Sequence, residues 1–186
     1  EIRACAAVGQ IQLMKHYEKG LGIGHLRYAA ENGTCNLQLR VGEIVYTTRN
    51  WADLNERARI KETMKILLKL NGQPIANQQD SIGQLGYSND YMAAELAIVL
   101  EADRLVLLTD DGLLDKEYKL VRRVTEVNDE IKALCWKRGG STGGMETKLD
   151  AADLASKKGI PTIIGNAKHG LARLVDDESI RTLVKR

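Results

Sequence analysis

The chain has 186 residues, 44% hydrophobic and 28% charged, which is the make-up of one globular domain large enough to bury a sizeable core. Its 27 basic and 25 acidic residues leave a net charge of only +2, so bulk electrostatics point neither to nucleic acid nor to a membrane surface. Three cysteines (Cys5, Cys35 and Cys135), odd in number and far apart, favour a reduced, cytoplasmic setting over a disulfide framework.

Residues 2–19 place Ala4, Ala7, Val8, Ile11 and Met14 at helical spacing, and Gly20, Gly22 and Gly24 end that pattern. The chain opens at Glu1 already inside it, which looks like a cut edge. From 25 to 40 the pattern is irregular, with Asn32-Gly33 placed to close a hairpin. Residues 43–48 are rich in β-branched and aromatic side chains and predict a strand. A long helix follows to about Leu70, capped by Thr48 or Asn50 and stopped by Asn71-Gly72. Pro74-Ile75-Ala76 predicts a short strand with proline at its start, and a polar turn over 77–81 follows.

Ser88 or Asn89 caps the next helix, striped by Met92, Ala93, Leu96, Val99 and Leu100. Leu105-Val106-Leu107-Leu108 reads as a strand buried on both faces and ends in the turn Thr109-Asp110-Asp111-Gly112. A short helix near 126–137 precedes the glycine-rich stretch 139–144, which runs into a helix over 146–158. Gly159 ends that helix, and Ile160 to Ile164 gives another strand. Strands alternating with helices predict an α/β fold with a largely parallel sheet and no internal repeat. No apolar run approaches the ~20 residues of a membrane span. His16, His25 and His169 have no ligand spacing, chance explains His25 beside Cys35 better than a metal, and no protein metal site is expected.

In such sheets ligands sit beyond the carboxyl ends of the strands, where the turns 77–81, 109–112 and 139–144 gather. Gly139-Gly140-Ser141-Thr142-Gly143-Gly144 offers close backbone approach, the following helix start supplies unpaired amides, and Lys148 lies one turn inside. Together these suit a polyphosphate, although the pattern is not G-x-x-x-x-G-K-[ST] and a plain turn with an exposed lysine is the simpler alternative. Asp110 has a bland reading as a turn residue and a sharper one as a contact to nucleotide or Mg²⁺. Asn77 to Asp80 and Asn89-Asp90 divide the same way between solvated turn or helix start and substrate contact. Trp51 and Trp136 are read as packing, and the basic pairs Arg122-Arg123 and Lys137-Arg138 as solvated surface.

Five segments taken in order resemble the amino-acid kinase domain of the glutamate 5-kinases. Ala6-Ala7-Val8-Gly9-Gln10 with Leu13-Met14 resembles A-A-V-G-Q, and Pro74 to Asp80 resembles P-I-I-N-E-N-D. Gly86-Tyr87-Ser88-Asn89-Asp90 resembles G-D-N-D, and Leu107-Leu108-Thr109-Asp110 resembles L-L-T-D. Ser141 to Leu149 resembles G-T-G-G-M-x-T-K-L, the most specific of the five.

The resemblance implies one amino-acid kinase-like domain over 1–186, a three-layer α/β sandwich with a mostly parallel central sheet. It implies ATP- and Mg²⁺-dependent phosphorylation of the side-chain carboxylate of glutamate, the first step of proline synthesis, by a cytoplasmic homo-oligomer. ATP falls to Thr109, Asp110, Thr142, Gly143, Gly144, Met145, Glu146, Thr147 and Lys148, and glutamate to Glu62, Gln79, Asn89 and Asp90. Lys148 contacts the transferring phosphate and Asp80 organises the catalytic lysines. Gln78, Gln79, Glu62 and Ser88 depart from the family's Glu, Asn, Asp and Asp, the turn at 110–115 is one residue short, and 24–40 has no counterpart. The family's first strand, its G-x-S loop with a second lysine and its S-S-G-A loop belong upstream of Glu1. Two alternatives stay open: a relative acting on another acceptor, and a non-catalytic ligand-binding domain of the same fold.

Overall fold

A computed structural model describes residues 15–17, 19, 30–31, 34–35, 41–70, 72–78, 88–135 and 144–186. The chain divides into two compact units, Glu1–Tyr87 and Ser88–Arg186.

In the first unit, residues 15–17 and 19 are helical, at the end of the stretch whose spacing predicts a helix. β1 (Ala30–Glu31) and β2 (Thr34–Cys35) pair antiparallel with Glu31 opposite Thr34, the hairpin register that Asn32-Gly33 predicts. β3 (Val41–Tyr46) pairs in parallel with β4 (Gln73–Gln78), from Val41 opposite Gln73 to Tyr46 opposite Gln78.

The connection between them differs from its sequence reading. One helix is expected, but the chain forms α1 (Thr48–Ala52) and α2 (Leu54–Lys69), broken at Asp53. Asp53 takes extended backbone (φ −80°, ψ 123°), and its carboxylate accepts the amides of Asn55 and Glu56 at 2.8 and 3.0 Å. A short acidic side chain that competes for nearby amides caps a helix better than it continues one. At the far end the Gly72 amide donates to the Leu67 carbonyl at 2.8 Å, so the predicted stop holds. Trp51 is buried against the Tyr46 ring, with the Arg57 guanidinium 4.9 Å from the indole centroid, a packing role as read from sequence.

The second unit is built on β5 (Leu105–Thr109), β6 (Arg123–Val124), β7 (Thr162–Asn166) and β8 (Arg181–Val184), in the order β5-β7-β8-β6. β7 runs parallel to β5, β8 antiparallel to β7, and β6 parallel to β8. Parallel pairs therefore dominate the described strands, and the class is α/β. The helices are α3 (Asn89–Leu100), α4 (Asp129–Lys132), α5 (Met145–Ser156) and α6 (Leu171–Asp176). Gly159, at φ +83°, follows the last turn after α5 as the sequence predicts.

Helices α3 and α5 pack together on the sheet. Ala94, Ala97, Ala151, Ala152 and Ala155 are buried with Leu105, Leu107, Leu149 and Ile164. Methyl side chains let the helices and strands approach closely, since interaxial distance is set by the residues at the contact. β5 is not buried on both faces as its apolar run suggests: Leu105 and Leu107 are covered, whereas Leu108 is 45% exposed. β7 is the doubly covered strand, with Thr162 to Gly165 all buried and Leu174 of α6 packed over Gly165. Among the described strands β7 lies between β5 and β8, whereas β5 has one neighbour, β7.

Candidate active site

The β5–β7 crossover fixes where the polar turns fall. α5 leads into the start of β7, so α5 itself begins at the carboxyl edge shared by the parallel strands β5 and β7. α3 leads into the start of β5 in the same way. Thr109 and Asp110, Asn166, and the starts of α3 and α5 therefore lie along one edge of the second unit.

At that edge Lys148 and Asp90 meet. The Lys148 Nζ donates to Asp90 Oδ1 at 2.9 Å and to Oδ2 at 3.0 Å, with only 14% and 17% of the two side chains exposed. Thr147 Oγ1 donates to Asp90 Oδ2 at 3.1 Å and sits 2.8 Å from the Gly144 carbonyl. Asp90 thus binds the first turn of α3 to the first turn of α5 through three contacts. The sequence reading sends Lys148 to phosphate and Asp90 to substrate, and assigns the holding of lysine to Asp80. In the folded unit Asp90 holds Lys148; Asp80 lies outside the described residues.

Gly144 has φ −83° and ψ −171°, extended backbone open to any residue, and a Cβ there would meet nothing within 4 Å. Conformational freedom is therefore not what Gly144 contributes. Among the described residues, the capping position at the start of α5 offers the amides no side chain. Ser88, before α3, likewise makes no side-chain capping bond. Glu146 and Asn89 are exposed on the first turns of α5 and α3, and Met145 is partly buried against the core.

Thr109 is half-buried at the end of β5 and Asp110 is exposed. The Asp110 carbonyl accepts a hydrogen bond from Asn166 Nδ2. Asn166 escapes the sequence reading; its signal is an amide side chain at the end of a buried apolar run, the position that Thr109-Asp110 occupies after β5. Glu62 is exposed on α2 in the first unit. Gln79, Thr142, Gly143 and Trp136 lie outside the described residues, and Asn77 and Gln78, read from sequence as part of a turn, instead end strand β4.

Cys135 is poorly suited to a nucleophilic role. Burial first, then Glu146 and Asp150, raise its thiol above the ordinary range against the opposing charge of Lys132. Lys132 pairs with Asp150 at 2.7 Å, tying α4 to α5. Among the described residues no cluster of three His, Cys, Asp or Glu side chains forms a metal cage, and no helix is long and apolar enough to cross a membrane.

The α/β architecture with its parallel-dominated strands is consistent with the amino acid kinase family, and the chain belongs to that family. The pattern of that family, described as amino acid kinase family, matches residues 1–166. The chain is similar to the glutamate 5-kinase of Carboxydothermus hydrogenoformans, 33% identical over 195 residues, covering 98% of this chain and 49% of that protein. It is 34% identical over 195 residues to the glutamate 5-kinase of Pasteurella multocida, covering 95% and 48%. Against the glutamate 5-kinase of Clostridium acetobutylicum it is 35% identical over 180 residues, covering 90% and 62%. The chain spans about half the length of the first two.

Proposed function

We propose that the chain carries out ATP-dependent phosphorylation of the side-chain carboxylate of L-glutamate, giving glutamyl 5-phosphate and ADP. The observation that carries this reading is the Asp90–Lys148 pair at the joined starts of α3 and α5. The likeness to proteins named glutamate 5-kinase supports the choice of acceptor.

A glutamate carboxylate oxygen attacks the γ-phosphorus as the bond to the bridging β–γ oxygen breaks, and that electron pair leaves on ADP. A glutamate side chain in water titrates near pH ~4.3, so the acceptor is already ionised at neutral pH and the step needs no general base. Catalysis is then alignment and charge neutralisation. An ammonium carries three N–H donors. Asp90 takes two of those on Lys148, which fixes the side chain and leaves the third for a phosphate oxygen. The uncapped start of α5 adds backbone amides and the positive end of the helix dipole. Magnesium, if bound with the nucleotide, would neutralise phosphate charge, and the exposed Asp110 at this edge is the carboxylate that could help to hold it.

The test is a hydroxylamine trap for acyl phosphate, run on the chain with ATP, Mg²⁺ and glutamate. Glutamate-dependent hydroxamate supports the reading. ATP binding with no hydroxamate, or hydroxamate with another carboxylate only, replaces it with one of the two alternatives.

A further inference from the structure

The turn after β5 is held at both ends. At its far end the Leu113 amide donates to Thr182 Oγ1 of β8 at 3.1 Å, both residues being fully buried. A Cβ on Gly112 would come within 2.3 Å of Leu120 Cδ1, so the chain is also tightly packed there. At its near end Asn166 holds the turn, its Nδ2 donating to the Asp110 carbonyl.

Asn166 stands at the last position of β7, opposite Thr109 in the parallel register. Its Oδ1 accepts the Lys168 amide at 2.9 Å and caps the 3-10 turn Ala167–His169. Those two partners leave no ambiguity in the side chain, because the carbonyl can only accept and the amide can only donate. One residue therefore joins the strand exits of β5 and β7.

We propose that Asn166 is a positioning residue of the nucleotide site, setting the peptide plane of Asp110 and with it the presentation of Thr109 and Asp110 to ATP. The inference rests on the nucleotide site of the reading above. A solvent-exposed bond of this kind contributes little net stability. Its effect lies in the geometry of a turn whose opposite end is already clamped.

Two variants separate positioning from folding. Asn166→Asp keeps an oxygen for the Lys168 amide, loses the donor, and sets a negative charge against the Asp110 carbonyl. Asn166→Ser keeps a capping oxygen, adds no charge, and is too short to reach Asp110. In both, the melting temperature should stay near that of the wild type. The Kd and KM for ATP should rise about ten-fold, while kcat at saturating ATP and the KM for glutamate change less than about two-fold. Unchanged ATP affinity in both variants overturns the inference, as does an equal rise in the two KM values. Hydroxamate formation with unaltered ATP constants sinks the Asn166 role alone. ATP binding without hydroxamate sinks the glutamate reading, while the ATP Kd of the variants still decides Asn166. A wild-type chain that binds no ATP overturns both.

Discussion

Helix α2 begins with two of its first amides satisfied by the Asp53 carboxylate, at 2.8 and 3.0 Å, whereas α5 begins at Gly144 with no capping side chain on them. The difference is not one of backbone. α6 also starts after a glycine, but Gly170 sits at φ +77°, where a side chain is strained; Gly144 sits at −83° with open space around its Cβ. At Gly170 the fold explains the glycine, and at Gly144 it does not. An uncapped helix start keeps amide donors free for an anion, the use that the proposed nucleotide would make of α5. The partly buried Lys148 one turn into α5, pinned by Asp90, extends the contrast: the lysine of α5 is anchored at the helix start, and the start of α2 is closed by its own cap.

The comparison can be broken at three points. The largest effect belongs to Lys148→Ala, which should lower kcat by roughly 100-fold or more, the scale of losing one preorganised electrostatic donor. Steady-state kinetics check it, and a change confined to KM would reduce Lys148 to a ground-state contact. Next is Gly144→Asp, which should move stability and binding in opposite directions. The new carboxylate caps α5 and faces its positive end, adding a few tenths of a kcal/mol by thermal denaturation. The same charge opposes the incoming triphosphate, and ATP affinity should fall about ten-fold by calorimetry. If ATP bound equally well, the open start of α5 would have no ligand to serve. The smallest effect is that of Asp53→Ala, a loss of about 1 kcal/mol in urea unfolding with ATP affinity unchanged.

The sequence announces the elements that position the site more clearly than the contacts inside it. β3, β4, β5 and β7 and the helices α3 and α5 are legible because apolar runs end at Gly, Asn or Asp turns. β6 and β8 are not, being strands of two and four residues whose pairing is made by partners far along the chain. The break at Asp53 is missed because apolar spacing continues across it, although its cap chemistry is written in the residue itself. Glycine stretch, lysine and polar turns stand out as the site. That Asp90 reaches Lys148, 58 residues away, follows from two helices packing in parallel, and no spacing rule announces it. Asn166 and Asp110 are separated by 56 residues and obey the same limit.

α3 and α5 both bury alanines in the shared core, side chains with no rotamers to rearrange. Alanines cannot repack, so the distance between the two helix backbones has little room to adjust there. A bulkier residue at the fully buried Ala94 or Ala151 would overpack this core. Evolution toward another acceptor would therefore have its freedom in the turns at the sheet edge, while the shared core stays unchanged.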